Sequence, residues 1–199
     1  MLSISRRSDQ TNPESNWYAV YTRHQHETTV AEILTIKGFE TLLPSYQVRR
    51  RWQDRVKFIS MPLFPCYVFV RACLDRRLDI VTTPGIHALV SNAGHPAPIP
   101  AAEIDAIQRA VESGSRVEPH PLLKCGAWVR VKCGPLEGVE GILERKKNLH
   151  RLVLSVEMLG KAVSVEVDGF QVERLSRDRR SISISNPRAI YPQPDYRIA

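Results

Sequence analysis

The chain has little of what builds redox or metal scaffolds. It has 4 Cys and 3 Met in 199 residues, and no two cysteines fall at the knuckle spacing of a zinc site. Neither a metal site nor a disulfide framework is expected, and the thiols read as buried and reduced. Long apolar runs are missing as well. The longest nearly apolar stretch, Met61 to Val70, is interrupted by Pro62 and Pro65 and is far shorter than the ~18 residues a membrane helix needs. Residues 1–15 carry Arg6 and Arg7 with no apolar region behind them. They do not read as a secretion leader, so a cytoplasmic protein is the default expectation. No glycine pattern opens a helix, which leaves out a phosphate loop or a dinucleotide fingerprint. The 6 His are scattered and assemble no nucleophile–base order. The expectation is a chain that is not an enzyme, with no cofactor, no metal and no membrane span.

What is present is ordinary globular material, 43% hydrophobic and 25% charged. Lys and Arg outnumber Asp and Glu 28 to 21, for a net charge of +7, which favours polyanionic partners. The excess is spread along the chain, so any nucleic-acid contact must be local. Residues 1–15 are polar and aperiodic, a disordered lead-in. Residues 16–114 read as an α+β domain with an antiparallel sheet. Its strands are expected at 16–22, 39–48, 56–59, 66–71 and 86–91, and its helices at 24–37, 74–82 and 101–113. Residues 115–121 lose periodicity and carry Pro119 and Pro121, the composition of a semi-rigid linker. Residues 122–175 are rich in valine in short alternating runs, which suits a small closed all-β barrel. The tail, 176–199, is basic, proline-interrupted and expected to be disordered.

The second domain contains Val129-Arg-Val-Lys-Cys-Gly-Pro-Leu-Glu-Gly-Val-Glu-Gly. Its valines share one face of a strand, Gly134-Pro135 turns the chain, and Gly138 and Gly141 supply positive φ or close backbone approach. This resembles the KOW motif of transcription and ribosomal proteins, an SH3-like barrel. In the first domain, Asn16-Trp-Tyr-Ala-Val-Tyr, Pro62-Leu-Phe-Pro-Cys-Tyr-Val-Phe-Val, Thr83-Pro-Gly-Ile and Pro96-Ala-Pro-Ile-Pro resemble, in order and spacing, the signature segments of the NusG N-terminal domain. Together the resemblance spans residues 16–175. The Pro62 segment is similar to that of the specialised RfaH-type antiterminators; housekeeping members commonly have glycine where this chain has Cys66.

The resemblance implies a monomeric transcription elongation and antitermination factor whose N-terminal domain binds RNA polymerase and the non-template DNA strand. Its KOW barrel would recruit ribosomal protein S-ten or Rho. Carried over by position, Phe64, Pro65 and Tyr67, with Trp17 and Ile86, would meet the polymerase. Arg23 and His24 fall where RfaH-type proteins touch non-template DNA, and Met158 and Leu159 fall where the barrel meets its partner. Core packing competes with these assignments, because alternate strand residues face opposite sides.

The residues themselves add one site. Arg49, Arg50, Arg51, Arg55 and Lys57 surround Trp52, opposed by Asp54, a cluster suited to phosphate contact with the indole stacked on an unpaired base. A solvated hairpin tip is the competing reading. A KOW-containing structural RNA-binding protein of the ribosome is the alternative for the whole chain. Gly134, Pro135, Gly138 and Gly141 disfavour helix, so the barrel is expected not to refold into a helical hairpin, leaving the polymerase surface of the first domain open.

Overall fold

The computed structural model describes residues 15–52, 55–122, 126–146 and 149–175. The lead-in and tail assignments, with Asp54 and Cys125, lie outside these residues apart from Ser15. The first half runs β1 (Asn16–Thr22), α1 (Glu27–Ile36), β2 (Glu40–Leu42), β3 (Ser45–Trp52), β4 (Arg55–Pro62), β5 (Tyr67–Ala72), α2 (Arg77–Val81), β6 (Ile86–Leu89), β7 (Ser91–Asn92), β8 (His95–Pro96) and α3 (Ala101–Glu112). A four-stranded antiparallel sheet of order β2-β5-β1-β6 forms its centre, while β3 and β4 pair as a separate hairpin.

Strand alternation sorts this sheet into two faces. Tyr18, Val20, Val68 and Val70 point into a core closed by Val30 and Leu34 of α1 and Ile80 of α2. Trp17, Ala19 and Phe69 point the other way, into a cluster that includes Ile104, Ile107 and Ala110 of α3. Ile104 and Ile107 are fully buried, each burial contributing about 1.5–3 kcal/mol.

Helix α1 begins later than the apolar spacing predicts because Gln25 has φ 63, a left-handed residue that a helix cannot contain. It ends where expected. Gly38 takes φ 83; its N–H reaches the Thr35 carbonyl, and that of Phe39 reaches Leu34. This is the paired glycine cap that satisfies the last carbonyls, with Phe39 and Leu34 in the same core. The predicted strand 39–48 is divided in two, since Leu43 and Pro44 interrupt β2 and β3 and proline cannot donate to a ladder.

The second half is all β: β9 (Val117–His120), β10 (Ala127–Val131), β11 (Glu140–Lys146), β12 (Leu149–Val156), β13 (Lys161–Val167) and β14 (Val172–Arg174). They form one antiparallel sheet of order β14-β10-β11-β12-β13-β9 around Val129, Val131, Leu152, Val163 and Val165. The mixed antiparallel first half and the all-β second half agree with the expected α+β domain followed by a KOW barrel. The expected linker 115–121 is corrected in part. Val117–His120 is strand β9, in which Val117 pairs with Val165 and Pro119 with Val163. Because β9 lies at the sheet edge, Pro119 can occupy a strand there, and Val117 is buried.

The motif glycines divide their work. Gly134 and Gly138 have φ 94 and 81, turn geometry that L side chains rarely adopt. At Gly141 the constraint is space, since an added Cβ would lie 2.6 Å from the Val153 carbonyl oxygen across the β11–β12 ladder.

Candidate functional site

The barrel rests on the first domain. Strand β12 packs against α3, and one apolar cluster is continuous from Trp17, Phe64 and Phe69 through Ile104 and Ile107 to Leu152 and Val163. Two polar contacts reinforce it. The Arg109 guanidinium of α3 donates to the backbone carbonyls of Pro135 and Glu137 in the motif turn. Lys161, at the start of β13, places its Nζ 5.7 Å from the centroid of the Tyr67 ring, within cation–π range.

This arrangement decides where the expected polymerase contacts lie. Phe64 is 1% exposed and packs edge-on to Phe69 at 5.3 Å. Trp17 is 6% exposed. Both are core in this conformation. Pro65 and Tyr67 are half-buried, with Tyr67 tilted against Tyr21 at 5.5 Å under the Lys161 ammonium. Ile86 is half-buried and packs against the opposite core, so it does not share a face with Phe64. The expectation of an open first-domain surface is therefore corrected. Apolar side chains on that face gain more by meeting α3 and the barrel than by meeting water. Met158 and Leu159 sit in the short turn between β12 and β13 and are half-buried against the same continuous cluster. The assigned partner site of the barrel thus lies at the domain contact.

Beside that turn, Glu103 of α3 is half-buried, and its Oε2 is buried with no hydrogen-bond partner. Burial pushes its carboxyl up to about 7; the Glu157 charge adds to the rise, while a hydrogen bond from the Glu157 backbone opposes it.

The basic cluster is elsewhere and fully presented. Arg49, Arg50 and Arg51 on β3, with Arg55 and Lys57 on β4, are all exposed. Arg50 stands opposite Lys57, and Trp52 is in register with Arg55. On the other face, Arg49 and Arg51 pair with Phe58 and Val56, of which Phe58 is 70% exposed. Among its described side chains, the hairpin thus presents cations on both faces and the Phe58 ring on one. Arg23 and His24 are also exposed, in the turn between β1 and α1, which is pinned by the Arg23 N–H to the Gly85 carbonyl at 2.8 Å.

The expectation of uniformly buried thiols holds only in part. Cys66 is buried, Cys73 is half-buried and Cys133 is exposed. Cys66 has φ 66 and lies beside His24, its Sγ 3.8 Å from Nδ1. The buried carboxylate of Glu27 accepts the Cys66 N–H at 2.8 Å. Burial raises the Cys66 thiol above its usual range, with the Glu27 charge adding and Lys161 opposing. Cysteine spacing could not reveal this group, because only one of the three residues is a cysteine.

A family model described as "Transcription termination factor nusG" matches residues 15–108. The transcription termination/antitermination protein NusG of Halalkalibacterium halodurans is 30% identical over 179 residues, covering 81% of this chain and 99% of the relative. The chain belongs to the NusG family. The protein of the same name from Escherichia coli K12 is also 30% identical, over 176 residues, with 81% of this chain and 97% of the relative covered. A solved structure described as "Domain interaction in Thermotoga maritima NusG" aligns with TM-score 0.50 and 23% identity over 81% of this chain and 97% of that one, a likeness of fold. As a NusG-family member, the chain is a transcription termination/antitermination factor. No described helix is long and apolar enough to cross a membrane.

Proposed function

We propose that this NusG-family chain binds RNA polymerase through the sheet face and loop carrying Phe64, Pro65, Tyr67 and Trp17, and non-template DNA through the β3–β4 hairpin. Arg23 and His24 give a second contact to the strand, and the barrel recruits ribosomal protein S-ten or Rho through Met158 and Leu159. The observation that carries the reading is the cluster of exposed cations at 49–51, 55 and 57 on a hairpin outside both cores. Displacing counterions from phosphates needs charge held in solvent reach.

The continuous core between α3 and the barrel adds a step. Tyr67, which lies under the Lys161 ammonium of the barrel, opens with its loop to a polymerase when the barrel swings off α3, and the same motion frees Met158 and Leu159. Polymerase binding and partner recruitment are then coupled through one opening equilibrium, each favouring the other by as much as it favours the open form. Family membership over residues 15–108, outside the barrel, weighs against the ribosomal alternative.

The test is binding of the full chain to a reconstituted elongation complex with an exposed non-template strand. Arg109→Ala, which loosens docking, should raise polymerase affinity. Alanine at Arg49, Arg50, Arg51 and Arg55 should lower affinity for the complex containing the strand. A chain that neither binds the polymerase nor alters pausing would overturn the reading.

A further inference from the structure

We propose that His24, Glu27 and Cys66 form a binding site for a zinc-class divalent cation, clamping the turn after β1 to the loop before β5. One ligand atom from each of the three side chains lies within 4.8 Å of the others. The Sγ–Nδ1 separation of 3.8 Å is already close to what tetrahedral zinc imposes. With Zn–S about 2.3 Å and Zn–N or Zn–O about 2.0–2.2 Å, ligand atoms stand roughly 3.4–3.6 Å apart. His24 is exposed, so its ring can close the remaining gap without disturbing a core. Thiolate, imidazole and carboxylate together suit zinc, a borderline-soft ion without geometric preference, better than they suit magnesium or calcium, which take oxygen donors.

Two features separate this group from a chance contact. Cys66 holds a side chain at φ 66, in the left-handed region that glycine alone enters freely, and its thiol lies beside the other two donors. Glu27 is 5% exposed, and burying a carboxylate is costly without hydrogen bonds or a cation. One of its oxygens, Oε1, takes the Cys66 N–H; a cation at the centre of the triad would compensate the charge. On binding, the Cys66 thiol gives its proton to bulk water and the ion sheds waters to three protein ligands. Water remains in the fourth position.

The site does not rest on the transcription reading, and its test needs no polymerase. Cobalt, which substitutes for zinc and reports thiolate ligation by a near-ultraviolet charge-transfer band, is titrated into reduced full-length chain carrying Cys73→Ser, Cys125→Ser and Cys133→Ser. The expected result is saturation of the band at a single equivalent and its displacement by zinc. Cys66→Gly, the substitution its φ tolerates best, should abolish the band with the fold retained by circular dichroism. His24→Ala and Glu27→Gln should each weaken affinity by about tenfold or more; the glutamine oxygen can still accept the Cys66 N–H. Absence of the band in the parent, its survival in Cys66→Gly, or unchanged affinity in both other variants would overturn the proposal.

Discussion

Glu103→Gln tests the docking of barrel on α3 through a single charge. In the closed form burial pushes the Glu103 carboxyl from 4.5 to about 7. Because the folded value lies above the unfolded one, the protonated form is the one the closed structure favours. Stability is fully present below about 4.5 and is lost as pH rises through about 7. At face value that interval corresponds to about 3 kcal/mol. The carboxyl keeps part of its solvent contact, so screening reduces the expectation to roughly 1.5 kcal/mol. Glutamine removes the charge and retains an oxygen for the Glu157 backbone. In urea unfolding followed by tryptophan fluorescence, the variant should match wild type at about pH 4.5 and exceed it by roughly 1.5 kcal/mol at about pH 8. Glu157→Gln should recover a smaller part of the same difference, because the Glu157 charge is a lesser contributor than burial. A variant no more stable than wild type at the higher pH, or a wild type that gains stability across this window from Glu103, would refute the reasoning.

Phe64→Ala should cost about 3–5 kcal/mol in denaturant unfolding, since it empties a fully buried site, whereas half-buried Tyr67→Ala should cost less and reveal itself in polymerase affinity. A loss below about 1 kcal/mol at Phe64 would mean its core role is wrong. For the hairpin, each arginine removed from a phosphate contact should lower the slope of log K against log salt by about 0.7 on single-stranded DNA; an unchanged slope would make the hairpin a solvated tip. Gly141→Ala should unfold or strongly destabilise the barrel, because its methyl meets a strand carbonyl, and a folded barrel by amide chemical shifts would contradict the close approach. Arg109→Ala should increase the population of undocked barrel, read as averaged amide shifts across α3 and the Pro135–Glu137 turn.

Local sequence carried the elements whose causes are local. The glycine cap of α1, the turns at Gly134 and Gly138 and the arginine-rich hairpin each depend on residues a few positions apart, so spacing and propensity expose them. Alternation likewise implied that Tyr67 and Phe69 face opposite Val68 and Val70, since a strand has a period of two. What covers each face is a different matter. Apolar residues on both sides of β1 and β5 look alike in sequence, and whether Trp17 and Phe64 meet a partner or the protein's own barrel depends on how α3 and β12 pack. The same holds for Val117 and Pro119, whose linker composition is overridden once a neighbouring strand edge offers them pairing. Cys66, His24 and Glu27 illustrate the limit most clearly. Cys66 bonds to Glu27, 39 positions away, and no spacing rule reaches across a helix, a strand and a hairpin. Chemistry within a turn or a strand was set by the sequence itself; which faces meet, and which distant side chains share a site, was decided by the tertiary fold, because burial of apolar area is blind to chain order.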